Sequence, residues 1–324
     1  MKKISNLLIN LKKNLSFNSK KEFVDFLARF FFLISTIISA SFIFIIIFFI
    51  AREGIKPFIT DNDGIGSVNI IRFLMGTTWL EGTVFLSNLY SIGFIIINTV
   101  YITLLALLIA MPVGVLTALF IAKIAPKKLS GILRTVIELL AAIPSIVYGL
   151  FGSGVILKFV YDLAKTFGVQ SPGGNSVLAT VLVLALMILP TITALSEVAI
   201  RSVRSDIEKG SLALGATKTQ TNFKVVLTSA KSGIFTAAIL GTGRALGEAT
   251  AVYLVAGNAR SGPSFGLFDT TATLTSTMLQ GLKETIGIDY DIRFSVGIVL
   301  MIIILLTNTI LNLVKKRIGR VDVK

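Results

Sequence analysis

Two ionisable residues stand four apart inside an otherwise apolar run, Arg244 and Glu248 in GIFTAAILGTGRALGEATAVYLVAG. Positions i and i+4 of a helix share a face, so the run predicts a guanidinium and a carboxylate presented together. A charge at the bilayer centre costs roughly 2.5–3.5 kcal/mol on insertion scales, so both side chains are expected to face protein or water rather than lipid. A guanidinium is a planar fork of donors that fits an oxyanion such as phosphate or sulfate. On that reading Arg244 grips the anion, while Glu248 holds the fork in place and keeps the empty site from staying cationic. The alternative stays open: the two neutralise each other and only lock helix to helix, although desolvation can exceed the Coulombic gain of such a pair. The chain has no Cys and no His, which excludes the usual zinc and haem sites and leaves acid-base work to perturbed carboxylates or lysines. No cofactor is expected.

A second stretch with chemical content runs over 205–230, the only polar, helix-forming segment set between strongly apolar spans in the second half. It predicts two short helices, 206–214 and 218–229, hinged at Gly215, because glycine accepts the left-handed conformation that ends a helix. Its LALGAT run puts small residues at the hinge, where a partner would pack closely; the plainer alternative is an amphipathic connector on the membrane surface. No Gly-rich lysine motif for phosphate occurs anywhere in the chain, so a nucleotide used as energy source would be bound by another polypeptide.

The elements that must position these residues are membrane spans. With 54% hydrophobic and 15% charged residues and a mean hydropathy of +0.85, the composition fits only a membrane protein. Six spans are expected near 30–51, 93–122, 139–157, 177–196, 234–256 and 294–314. They place 22 of the 31 Lys and Arg residues on one side. Basic residues mark the cytoplasm, so both termini and the 205–230 segment are expected to face inward. The net charge of +14 is thereby explained by orientation, and no nucleic-acid partner is expected. The 41 uncharged positions 82–122 are taken as one long span, because two would reverse every later segment against the charge rule. Pro112, Pro144 and Pro190 fall within the second, third and fourth spans. Such prolines free backbone carbonyls that neighbouring helices or a wet cavity must satisfy, or they only fix packing. Gly243 and Gly247 have the spacing that lets helices approach closely, which would put Arg244 at an interface between subunits. Trp79 in GTTWLEG predicts an interfacial anchor. Residues 1–28 form a basic amphipathic segment suited to the anionic inner leaflet, ahead of a transmembrane domain over 29–324 with an inner loop at 201–232. Membrane lipid is thus one partner.

Counted from Gly215, the inner loop resembles the cytoplasmic loop of ABC importer permeases, Glu-Ala-Ala, three residues, Gly, nine residues, Ile-x-Leu-Pro. Leu227 matches, and Val225 approximately. Lys209 stands where the glutamate is usual, Thr228 stands where the proline is, and Glu208, one position earlier, is the candidate substitute. ELLAAIPSIVYGLFG and GRALGEATAV resemble permeases of the phosphate-specific importer, and FLMGTTW is similar to the PstC type rather than its PstA partner; the similar stretches cover roughly 70–314. The resemblance implies an all-α type I ABC importer permease of six transmembrane helices, with no catalytic activity of its own. It further implies a second, PstA-like permease, a PstB-like ATPase dimer at the inner loop, and an external PstS-like phosphate-binding protein. The ATPase would contact Glu208, Leu212, Ala213, Gly215, Ala216 and Leu227, while Arg244 and Glu248 would lie on the phosphate path. A permease for sulfate or molybdate, an ion-coupled secondary transporter, and a non-transporting anchor or sensor are the competing readings.

Overall fold

The computed structural model describes residues 20–62, 66–80 and 89–319. The chain divides into two units, residues 1–52 and 53–324. The first holds most of helix α1 (Lys20–Ile59), whose Phe, Ile and Leu side chains from Phe30 to Phe49 are almost all exposed. A helix apolar all round belongs in lipid. The boundary expected at residue 28 falls inside this helix, which runs without a break from Lys20. The remainder of the basic segment, residues 1–19, lies outside the described residues.

The second unit opens with α2 (Ile70–Met75) and a two-stranded antiparallel ribbon, β1 (Trp79–Leu80) and β2 (Leu89–Tyr90), which pairs Trp79 with Tyr90. Trp79 is buried beside Phe73, Tyr90, Ile92 and Phe94. It is a core residue, not the exposed interfacial anchor its neighbours in sequence suggested. Helix α3 (Gly93–Leu119) follows and is extended by a π turn, Phe120–Ile124. At 1.5 Å per residue its 27 residues rise about 40 Å, so the described part of the uncharged run holds one long span, as the charge rule required.

The third span departs from expectation. Pro144 does not kink a helix; it separates α4 (Lys127–Ala142) from α5 (Ser145–Phe151), and Ile143 and Pro144 are both extended. Tyr148 Oη donates to the Leu140 carbonyl across this break at 2.8 Å, beside the Ile143 N–H that the same carbonyl accepts at 3.3 Å. A π turn over Gly152–Ile156 joins α5 to α6 (Leu157–Thr166). Pro112 and Pro190, by contrast, lie inside α3 and α7 (Val177–Arg201).

After α7 come α8 (Ser205–Ala213), the single turn α9 (Lys218–Gln220), a π turn over Thr221–Val226, and α10 (Leu227–Gly247). The second helix of the inner loop is therefore no separate piece but the first turns of the fifth span. Short helices α11 (Thr250–Val255) and α12 (Leu274–Leu279) precede the last span, α13 (Ile288–Gly319). Six helical stretches among the described residues are long and apolar enough to cross a membrane.

The segments expected on each side of the membrane meet as groups. Trp79 N donates to the Arg260 carbonyl at 2.8 Å, Gly262 N to Thr77 at 3.1 Å, and Val177 N to Asp269 at 2.9 Å, so the three segments predicted to be external share one end. At the other end Arg201 reaches the Ile121 carbonyl and Ser130, which joins the two predicted inner loops. Between the ends, Ile102, Ala106 and Ala110 of α3 pack with Leu184, Ile188 and Ile192 of α7 and with Ala245 of α10. Glycines let these helices close up, Gly233 against Ala199 and two more against Ile192. A Cβ on Gly114 or on Gly241 would stand 2.9 Å from the Ile192 side chain, inside van der Waals contact.

Candidate functional site: a helix break carrying Arg244 and Glu248

The fifth span does not continue to residue 256. It ends at Gly247, and Glu248 is extended (φ −75°, ψ 117°), so Arg244 and Glu248 do not share a helix face. Two contacts hold the break. The Glu248 carboxylate accepts from Ala251 N at 3.0 Å and so caps α11, and the Glu248 carbonyl accepts from Thr275 Oγ1 at 2.7 Å. Glu248 stands one residue ahead of the N-cap, Ala249, and satisfies a first-turn N–H that the helix itself leaves free.

Arg244, on the last turn of α10, turns to the fourth span instead. Its Nη1 donates to Thr191 Oγ1 at 2.7 Å. No ion pair joins it to Glu248 among the described residues, so Glu248 neither clamps the fork nor forms a simple helix-locking pair with it. Thr191 was not singled out from sequence. Threonine in a helix commonly bonds back to the carbonyl four residues earlier, as Thr193 does to Leu189 and Thr242 to Ala238. Thr191 gives its oxygen to Arg244, and its own hydrogen has no acceptor among the described residues. One guanidinium with four N–H groups uncommitted among the described residues, half-buried beside a hydroxyl donor, is an arrangement that can hold an oxyanion through several charge-assisted bonds.

The glycines divide by role. Gly241 is required by the packing on Ile192, whereas a Cβ on Gly243 or Gly247 would meet nothing within 4 Å among the described residues. Close approach within the chain is thus a property of Gly241, and the Gly243–Gly247 side of the helix is left open.

The inner loop folds as a closed hairpin. Gly215 takes φ +85°, Gly215 N donates to the Leu212 carbonyl and Ala216 N to Ser211, and together these bonds terminate α8 in a left-handed cap that glycine alone adopts without strain. Thr217 and Gln220 form a capping box that starts the next helix, and Ser211 and Thr221 hydroxyls bond at 3.0 Å across the turn. Of the residues expected to meet a partner, Leu212, Ala213 and Gly215 lie exposed at the tip, joined by Leu214, which sequence reading passed over and which is 91% exposed. Ala216 is half-buried. Leu227 packs inward against Val226 and Ala230, and Glu208 is ion-paired with Lys123 at the end of the second span; neither belongs to the exposed tip.

Sequence reading also missed buried charged groups, among them Glu197 and Arg293. Glu197 is buried and accepts from Arg201 Nε at 2.7 Å, with Arg134 Nη2 at 3.1 Å. The i, i+4 spacing of Glu197 and Arg201 was a legible signal for it. Arg293, also buried, donates Nε to the Gln280 carbonyl at 2.7 Å.

Residues 110–320 match the family described as binding-protein-dependent transport system inner membrane component. The chain belongs to that family. The permease is 36% identical over 256 residues to the probable ABC transporter permease protein YqgH of Bacillus subtilis (strain 168), an alignment covering 78% of this chain and 79% of that one. It is 32% identical over 243 residues to the phosphate transport system permease protein PstC of Pasteurella multocida (strain Pm70), covering 71% and 75%. Among solved structures it superposes with TM-score 0.64 on a chain of the bacterial alginate ABC transporter in complex with its alginate pentasaccharide-bound periplasmic protein, at 16% identity over 94% of this chain and 99% of that one. That likeness is one of fold, the type I importer permease fold. The permease is therefore a multi-pass inner-membrane component of a transporter and not itself an enzyme.

Proposed function

We propose that this permease forms half of the translocation pathway of an ATP-driven importer of inorganic phosphate. The observation that carries the proposal is the Arg244 guanidinium at the break between α10 and α11, oriented by Thr191 with the rest of its fork uncommitted among the described residues. The phosphate transport permeases among its relatives support the choice of anion. Both termini and the 205–230 loop face the cytoplasm, in keeping with the clustering of Lys and Arg on that side. A PstB-like ATPase dimer takes the exposed tip around Leu212, Ala213 and Gly215, a PstA-like permease completes the pathway on the open side of the fifth span, and a PstS-like binding protein delivers phosphate from outside. Glu248 keeps its place in the reading through the break it caps: by fixing where α10 stops, it fixes where Arg244 stands.

The test is uptake of labelled phosphate by the assembled complex in lipid vesicles. Arg244→Ala is expected to abolish most uptake while ATPase assembly stays intact. Uptake equal to the unaltered complex removes Arg244 from the pathway, and stimulation of ATP hydrolysis by sulfate or molybdate rather than phosphate reassigns the anion.

A further inference from the structure

We infer that Lys123 and Glu208 form an internal tie that makes α8 move together with the second span, and that Glu208 acts within this chain rather than on the ATPase. The inference rests on the transport function proposed above, and takes α8 as the element that a nucleotide-driven partner displaces.

Three attachments hold α8. The chain itself joins its start to the fourth span through Ser202, Val203 and Arg204. The Ser211–Thr221 hydroxyl bond ties its last turn to the π turn that leads into the fifth span. Glu208, in its first turn, is ion-paired with Lys123 at the end of the second span. The last of these is not an ordinary surface pair. Its two side chains are only 18% and 25% exposed, whereas Arg204 and Asp206, one turn away, pair at 78% and 71% exposure. Exposed pairs contribute little, because water and salt screen them and two long side chains must be ordered. A pair mostly covered by protein keeps more of its attraction.

The ground to which Glu208 is tied is itself ionic, built on the buried Glu197 carboxylate. Glu197 receives Arg201 and Arg134, Arg201 also donates to Ser130 Oγ at 3.0 Å and to the Ile121 carbonyl at 3.3 Å, and Ser130 Oγ donates to that same carbonyl at 2.8 Å. These bonds join the inner ends of α3, α4 and α7 into one frame, two residues from Lys123. A helix hung only from a flexible connector transmits little displacement, and one fixed to three spans carries them with it. Coupling needs such a contiguous physical network. Lys209, next to Glu208, stays exposed.

The experiment uses the full complex, with its ATPase and binding protein, in vesicles, and reads phosphate taken up per ATP hydrolysed. Lys123→Glu and Glu208→Lys are each expected to lower that ratio on the order of tenfold, and the double exchange Lys123→Glu with Glu208→Lys to restore most of it. Single variants at the unaltered ratio, or an exchange no better than the singles, overturn the tie; the second result is what a contact between Glu208 and the ATPase would give. A covalent arm covers the event that a single variant fails to assemble. The chain has no cysteine, so Lys123→Cys with Glu208→Cys can be joined by a short bis-maleimide without competing sites in this subunit. Joined complex that still couples hydrolysis to uptake supports the tie, and joined complex that hydrolyses ATP without uptake overturns it. Uptake by the unaltered complex, measured alongside, tests the transport function separately.

Discussion

Replacing Thr191 by valine keeps the shape of the side chain and removes the oxygen on which Arg244 rests. A hydrogen bond to a charged group contributes about 1.5–3 kcal/mol net, and each 1.36 kcal/mol is a factor of ten, so the oriented fork loses about ten- to a hundredfold in population. Arg244 is half-buried, so water replaces part of the lost bond, and the low end, about tenfold, is the expected rise in the phosphate concentration that half-saturates transport. The direction follows from donor number. One N–H is committed to Thr191, so the bond orients the fork without blocking it, and valine also deletes the free hydroxyl hydrogen beside it. The assay is binding-protein-dependent uptake in vesicles over a range of loaded binding protein, with Thr191→Ser run in parallel. Serine, which keeps the oxygen, is expected to stay within about threefold of the unaltered protein. Equal damage by serine and valine would locate the effect in packing, and no damage by valine would show that the hydroxyl does not position Arg244.

Two further outcomes follow from the same region. Glu248→Ala removes the cap of α11 and is expected to lower stability by about 1 kcal/mol, seen as a lower midpoint of thermal unfolding in detergent. Glu248→Gln, which keeps an acceptor for Ala251 N, is expected to leave that midpoint near its original value, so any loss of uptake in Gln reports the charge alone. Gly241→Val places atoms against Ile192, where even a Cβ stands at 2.9 Å, and overpacking of this kind costs about 1–3 kcal/mol; Ile192→Ala in the same chain is expected to recover part of the lost thermal stability.

The sequence by itself determined the class of protein, the number of spans, and which loops share a side. These follow from hydropathy and from where Lys and Arg fall, properties that each residue carries independently of its neighbours in space. It also located the hinge at Gly215, because a left-handed helix end is a local demand that glycine meets, and it singled out Arg244 as a charge out of place. What it misjudged was where regular structure stops. The fifth span reads as continuous to 256, yet Glu248 leaves the helix because Ala251 N and Thr275 Oγ1 bond it from α11 and α12. Trp79 reads as an anchor, yet it is core because the ribbon folds it against Phe73 and Phe94. The partners of the charged groups were out of reach for the same reason. Thr191 lies 53 residues from Arg244 and Lys123 lies 85 from Glu208, and no local pattern ties them. Only the packing of the second, fourth and fifth spans, set by Gly114 and Gly241 against Ile192, brings a guanidinium to a hydroxyl and fixes which polar groups satisfy one another where there is little water to do so.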